Sequence, residues 1–143
     1  MLECLAAAFE PYRSRYTTAA FEDTVLTLET AARRLQEMTI FVAETETQGI
    51  AGTIAVAAAG SREGHVRGMA VYPAFQGSGV ARQLLDAAER ELRVLGCSRV
   101  TLDTTQPLER AIHFYERCGY SATGVVGDFF GMPLFEYAKD LEP

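Results

Sequence analysis

The fold is decided by a stretch that reads as the end of a strand, a turn with two glycines and the start of an amphipathic helix: Val71-Tyr72-Pro73-Ala74-Phe75-Gln76-Gly77-Ser78-Gly79-Val80-Ala81-Arg82-Gln83-Leu84-Leu85. Gly77 and Gly79 permit backbone angles that a side chain would obstruct, and they let the main chain approach a ligand closely. The first amides of the helix have no internal acceptors, and the helix dipole adds partial positive charge there. The residues alone therefore predict a site for a phosphate or pyrophosphate group.

The spacing excludes two common phosphate-binding loops. A nucleoside-triphosphate loop requires Lys and then Ser or Thr after its second glycine, where this chain has Val80 and Ala81. A dinucleotide-binding loop requires a third glycine at the position of Arg82.

The pattern that fits is Gln-x-x-Gly-x-Ala, formed by Gln76, Gly79 and Ala81. A strand-like segment at residues 66–71 precedes it, and an A-x-x-x-Y-x-x-x-G-Y segment at residues 111–120 follows it. In these motifs and their order, from about residue 40 to the C-terminus, the chain resembles the GNAT family of N-acetyltransferases.

The resemblance implies one α/β (α+β) domain over residues 1–143. Its sheet would be mixed and mostly antiparallel, with a central parallel pair of strands that splay apart and with flanking helices. Members of the family usually begin with a short strand. This chain has no residues suited to one before its first helix, so we expect the first strand to be missing, truncated or built differently.

The resemblance also implies acetyl-CoA as cofactor. Its pantetheine arm would pair with the backbone of Met69, Ala70 and Val71. Its pyrophosphate would meet the backbone amides of the glycine turn, with Arg82 at the helix start; these amides belong to Gln76, Gly77, Ser78, Gly79, Val80 and Ala81. No metal site is expected, because Cys4, Cys97 and Cys118 lack metal-ligand spacing.

The chemistry implied is attack of an amine on a thioester carbonyl, which requires a base for the amine and an acid for the departing thiolate. The family resemblance assigns the acid to Tyr115. For the base it points to His65, whose side chain titrates near pH 6.5 when unperturbed. Glu63, Glu44 and Asp103 remain rivals, and His113 is expected at the surface.

The N-terminal third is predicted to contain two helices joined by a loop. Helical spacing covers residues 2–16, with Pro11 able to kink or divide the helix. Residues 17–27 read as a loop. Thr27 then caps a helix that ends near Met38. Its predicted apolar stripe is Leu28, Ala31, Leu35 and Met38. By analogy with the family, the acceptor pocket would be lined by Tyr12, Tyr16, Phe21, Glu22 and Asp23.

The rest of the sequence, from residue 39 onward, predicts a sheet interrupted by two helices. Residues 39–44, 50–58 and 65–71 form an antiparallel meander, and a helix at residues 79–95 leads to a parallel strand at residues 99–104. That first helix is expected to place Glu89 and Arg93 in solvent as an i,i+4 pair. Thr104 or Thr105 would cap the second helix, and a hairpin at residues 120–126 and 132–139 ends the chain.

Composition limits the classes of function. The chain has 48% hydrophobic and 22% charged residues, typical of a soluble globular domain, and a net charge of −6, which argues against nucleic acid and modestly favours a cationic acceptor. No membrane span or secretory leader is expected, and the cysteines favour a cytoplasmic location. The edge strands of the final hairpin favour a homodimer.

The sequence leaves three functions open: an N-acetyltransferase acting on a primary amine of a small molecule or peptide, an acyl-CoA-binding or sensing domain without catalysis, and a structural or dimerisation domain without ligand. Tyr115 favours the enzyme, and the intact loop at residues 76–81 argues against the third.

Overall fold

The computed structural model describes residues 1–142 and contains one six-stranded sheet in the order β1-β2-β3-β4-β6-β5. The strands are β1 (Thr39–Thr45), β2 (Gly49–Ala58), β3 (Glu63–Val71), β4 (Arg99–Thr105), β5 (Ser121–Phe129) and β6 (Met132–Asp140). The helices are α1 (Leu2–Phe9), α2 (Thr18–Thr24), α3 (Leu28–Glu37), α4 (Val80–Val94) and α5 (Glu109–Arg117). No helix within the described residues is long and apolar enough to cross a membrane.

The sheet has the predicted mixed topology. β1, β2 and β3 form an antiparallel meander, and α4 carries the chain from β3 to the parallel strand β4. β6 lies between β4 and β5 and is antiparallel to both. Within residues 1–142 no strand precedes α1, so β1 forms one edge of the sheet and β5 the other.

The segment that precedes α3 differs from the sequence prediction in the loop at residues 17–27. A 3-10 segment follows α1 and contains Pro11, so the proline divides the first helix as expected. The predicted loop at residues 17–27 is wrong, because residues 18–24 form α2. The hydroxyl of Thr17 accepts a hydrogen bond from the Ala20 amide (3.2 Å) and caps this helix.

The helix α3 starts at the predicted cap but turns a different face inward. Thr27 and Thr30 cap its N-terminus reciprocally. The predicted apolar stripe is wrong at Leu28 and Leu35, which are 81% and 62% exposed, and correct at Ala31, which is buried. The residues it buries are Ala31 and Arg34.

Two apolar clusters fill the two faces of the sheet. The larger lies under α4 and α5, and includes Leu85 and Leu92 of α4 together with Ile54 and Val100 of the sheet. The smaller packs Cys4 and Leu5 of α1 against the opposite face. The sheet is therefore a central layer, with α4 and α5 on one side and the N-terminal helices on the other.

The predicted solvent position of Glu89 is wrong. Glu89 is only 4% exposed and accepts hydrogen bonds from the Tyr120 hydroxyl (3.0 Å) and from the Lys139 ammonium (3.0 and 3.1 Å). Arg93, its expected partner, lies farther away at 3.7 Å. This buried carboxylate ties α4 to the C-terminal hairpin.

We expect Lys139→Met to lower the free energy of unfolding by about 3 kcal/mol, because it leaves a buried carboxylate without its closest cation. The matched variant Arg93→Met removes a more exposed and more distant cation, and should cost less than about 1 kcal/mol. Urea unfolding followed by circular dichroism measures both. Equal losses would contradict the assignment of Lys139 as the main partner.

Candidate active site

A gap opens between the two central parallel strands. β3 and β4 pair only from Glu63 opposite Arg99 to Val66 opposite Leu102. Beyond that point β4 continues along β6, and β3 continues along β2. On the side that faces β4, the backbone of residues 67–71 has no partner strand in the described chain. The predicted pantetheine-pairing residues Met69, Ala70 and Val71 lie on this open edge.

A β-bulge in β3 accompanies the gap. Thr53 pairs with Ala70 and Ala55 with Arg67, so one residue of β2 lies opposite two of β3. Gly68 occupies the bulge with a φ of +62°, a conformation that favours glycine. The bulge resets the alternation of side chains, so that Val66 and Met69 both pack toward the cluster under α4.

The glycine turn supplies free amide donors. Gly77 and Gly79 have φ values of +78° and +90°, and the first internal bond of α4 runs from the Gln83 amide to the Gly79 carbonyl (3.1 Å). Within residues 76–82, the amides of Gly77, Gly79, Val80, Ala81 and Arg82 have no backbone acceptor among the described residues. The Gln76 and Ser78 amides instead bond to the carbonyls of Pro73 and Phe75 (3.3 Å each) and are not free as predicted.

The side chains of Gln76 and Arg82 make local contacts around this turn. The Gln76 amide nitrogen donates to the Val71 carbonyl (3.4 Å), and its oxygen accepts from Arg110 of α5 (3.1 Å). The Arg82 guanidinium bonds to Asp86 (3.2 Å) and Cys118 (3.7 Å). Gln76 thus links the turn to α5, whereas Arg82 is directed along α4.

A cavity of about 540 Å³ extends from this turn through the gap to the N-terminal helices. It is lined by both strands of the parallel pair, by α5 and by residues of the N-terminal segment. The sequence-predicted residues His65, Met69, Ala70, Val71, Gln76, Ala81 and Tyr115 all contribute to its wall.

Tyr115 reaches the cavity from the α5 side. Its side chain is buried, and the hydroxyl donates to the Met69 sulfur at 3.6 Å. The ring packs edge-on against Tyr120. Burial raises the pKa of Tyr115 well above its usual value, so the hydroxyl keeps its proton at neutral pH.

His65 faces the cavity from the opposite side of the sheet. Its Nδ1 lies 2.9 Å from the Thr101 hydroxyl, and its Nε2 lies 3.6 Å from a carboxylate oxygen of Asp103. Burial lowers the pKa of His65, while the Asp103 carboxylate opposes the shift. The imidazole is therefore neutral at pH 7 and can accept a proton at Nε2.

The rival bases occupy different places. Asp103 lines the cavity beside His65, whereas Glu63 binds Arg99 at 2.6 Å and neither Glu63 nor Glu44 lines the cavity. His113 is exposed on α5 and lies outside the cavity wall.

The predicted acceptor-side residues separate into two groups. Tyr12, Tyr16 and Asp23 line the cavity, and the Tyr16 hydroxyl is bonded to Thr105 at 2.6 Å. Phe21 is buried beneath the Arg13 guanidinium, and Glu22 does not contribute to the wall.

Sequence reasoning missed two polar residues of the wall. Thr104 is no helix cap, since α5 begins after Leu108; its hydroxyl is buried in the cavity wall and has no hydrogen-bond partner among residues 1–142. Strand alternation, which puts it on the face of Val100 and Leu102, could have revealed it. Arg34 lies outside the predicted apolar stripe of its helix, yet it is 8% exposed and lines the cavity.

This geometry agrees with the comparison to known proteins. The family model described as the acetyltransferase (GNAT) family matches residues 2–120, so the chain belongs to the GNAT family. A mycothiol acetyltransferase from Propionibacterium freudenreichii is 42% identical over 62 residues, which are 43% of this chain and 20% of that protein. The chain thus matches about a fifth of the length of this relative.

Solved structures share the fold. A GNAT acetyltransferase from Staphylococcus aureus Mu50 superposes with a TM-score of 0.77 at 17% identity, covering 99% of this chain and 91% of that one. A Bacillus subtilis acetyltransferase in complex with CoA superposes with a TM-score of 0.71 at 18% identity, covering 81% and 85%.

We expect Gly79→Val to weaken coenzyme A binding at least about tenfold, because a β-branched residue at positive φ displaces the backbone that holds the free amides. Isothermal titration with coenzyme A measures the change. Gly60→Val is the matched control: Gly60 has a φ of +94°, and a Cβ at either glycine would meet nothing within 4 Å. Both variants carry similar strain, so equal affinities for coenzyme A would contradict a role for the turn.

Proposed function

We propose that this chain is an acetyl-CoA-dependent N-acetyltransferase that transfers an acetyl group to a primary amine by direct attack on the thioester. One observation carries the proposal: the gap between β3 and β4 has the Tyr115 hydroxyl on one side and the His65 imidazole on the other. Such an arrangement separates the group that gives a proton from the group that takes one.

The residues present fit the cofactor. The unpaired edge of residues 67–71 can hydrogen-bond to an amide-bearing arm, and the orphaned Thr104 hydroxyl offers a further polar contact in the same wall. The free amides at the start of α4 suit a diphosphate. When bound, acetyl-CoA supplies the activated acyl group as a thioester.

The protein contributes positioning and proton transfer. His65, directly or through one water, takes a proton from the ammonium form of the acceptor, and Asp103 stabilises the resulting imidazolium. The amine nitrogen then bonds to the carbonyl carbon as the carbon–sulfur bond breaks. Tyr115 gives its proton to the departing thiolate, the second proton of the attacking nitrogen returns through water to the Tyr115 phenolate, and His65 releases the first proton to solvent. The presence of both groups in one cavity favours an enzyme over an acyl-CoA-binding domain without catalysis.

We expect Tyr115→Phe to lower kcat by about 10²-fold, the lower end of the usual contribution of a general acid. Thiol release from acetyl-CoA with a panel of amines measures it. Tyr120→Phe is the matched control, because it also removes a buried hydroxyl, but one that is bonded to Glu89. Undiminished turnover in the Tyr115 variant would exclude the acid role.

The pH dependence tests His65. Its lowered pKa predicts that activity is lost only at a pH below the ordinary histidine pKa of about 6.5, where the imidazole becomes protonated and can no longer act as a base. We expect His65→Gln to remove this acidic limb of the kcat profile and to reduce the plateau. His113→Gln, which alters the other histidine of the chain, should keep the wild-type profile. An acidic limb that survives in the His65 variant would assign the base elsewhere.

A further inference from the structure

Arg34 is a largely buried cation that borders the cavity and has no counter-ion among residues 1–142. It is 8% exposed, and no described residue accepts a hydrogen bond from its guanidinium or lies within the 4.0 Å of an ion pair. Its Nη1 lies over Gly68, 2.5 Å from where a Cβ on that residue would stand. The guanidinium thus occupies the space above the β3 bulge, in the wall of the cavity.

The neighbouring charges do not neutralise it. Asp23 is bonded to Arg67 at 2.9 Å, and Glu37 is exposed on α3, outside the cavity wall. Two guanidinium groups and one carboxylate leave a local charge of +1 at this end of the cavity. Burial lowers the pKa of Arg34, but a guanidinium stays charged in proteins. A buried charge without a partner is costly, unless a ligand supplies the partner.

A second part of the cavity wall, away from Arg34, contains groups that can bind a cation. His65 Nε2 and the Asp103 carboxylate both face the cavity and form the proposed site for the reacting ammonium. His65 and Gly68 are three residues apart on β3, so their Cα atoms are at most about 10 Å apart, and the bulge at Gly68 shortens this span. An α-amino acid, with about 3 Å between its nitrogen and a carboxylate oxygen, bridges about 9 Å when a hydrogen bond of about 2.9 Å is added at each end.

We propose that the acceptor is a free α-amino acid, whose carboxylate binds Arg34 while its amino group faces His65 and Asp103. This inference rests on the proposed function and narrows its substrate class. A monoanionic carboxylate matches the local charge of +1, and the planar guanidinium can bind it through two parallel hydrogen bonds. A peptide acceptor would lack a carboxylate at this distance from its terminal amine.

The test compares α-amino acids with their α-carboxamides in the thiol-release assay with acetyl-CoA. We expect wild-type kcat/KM to favour the carboxylates by at least about tenfold, the usual size of a hydrogen bond to a charged group. Arg34→Met should remove the preference, Arg34→Lys should restore part of it, and both should keep the wild-type KM for acetyl-CoA. Arg33→Met, a change at the exposed neighbouring arginine on α3, should behave like wild type.

The outcomes separate this inference from the proposed function. If the wild type has equal kcat/KM values for the carboxylates and the carboxamides, the inference is overturned, while the proposed transferase activity is unaffected. If no amine is acetylated, binding is measured instead. N-acetyl amino acids and their amides are titrated calorimetrically into the protein with coenzyme A present, and the result decides whether the carboxylate site exists. Binding of the acid that is selective over the amide and is lost in Arg34→Met supports the carboxylate site, and binding without selectivity overturns it. A raised KM for acetyl-CoA in Arg34→Met would assign the guanidinium to the cofactor and would also overturn the inference.

Discussion

The separation of β3 from β4 after Val66 is the constraint on which the rest of the structure depends. Backbone amides and carbonyls inside a protein need partners, and a sheet normally supplies them on both sides of a central strand. Here β2 satisfies one side of β3 as far as Val71, while the other side is open from Arg67 onward. An open edge in the middle of a sheet requires water or a ligand, and the surrounding helices restrict which ligand can enter.

The bulge at Gly68 explains how β3 directs neighbouring side chains to both faces of the sheet beside the gap. In a regular strand, His65 and Met69 would point to the same face, because they are an even number of residues apart. The extra residue reverses this relation, so that His65 lies with Asp103 on one face and Met69 lies against Tyr115 on the other. The proposed acid, Tyr115, and the proposed base, His65, therefore approach the gap from opposite sides.

The parts of the site that follow from short sequence spacing could be predicted. The turn at Gly77 and Gly79 and the helix that carries Tyr115 are each defined within about a dozen residues, and both lie where the sequence places them. Arg34, Glu89 and Thr104 could not be placed in this way. Charged residues on helices are usually solvated, and the groups that bury Arg34 and Glu89 come from positions 34 and 50 residues away, Gly68 and Lys139. Thr104 was mistaken for a cap because threonine suits both caps and strands.

The charge of the whole chain and the charge inside the cavity act at different stages. A net charge of −6 attracts cations over distances limited by the Debye length, about 8 Å at physiological salt. This charge affects how often a ligand meets the protein. The modest preference for a cationic acceptor inferred from it concerns that encounter step alone. A zwitterion carries no net charge and is neither drawn to nor repelled by such a surface. For the proposed α-amino acid acceptor, discrimination would then arise within the cavity, whose wall contains both the Asp103 carboxylate and the Arg34 guanidinium, two groups of opposite charge.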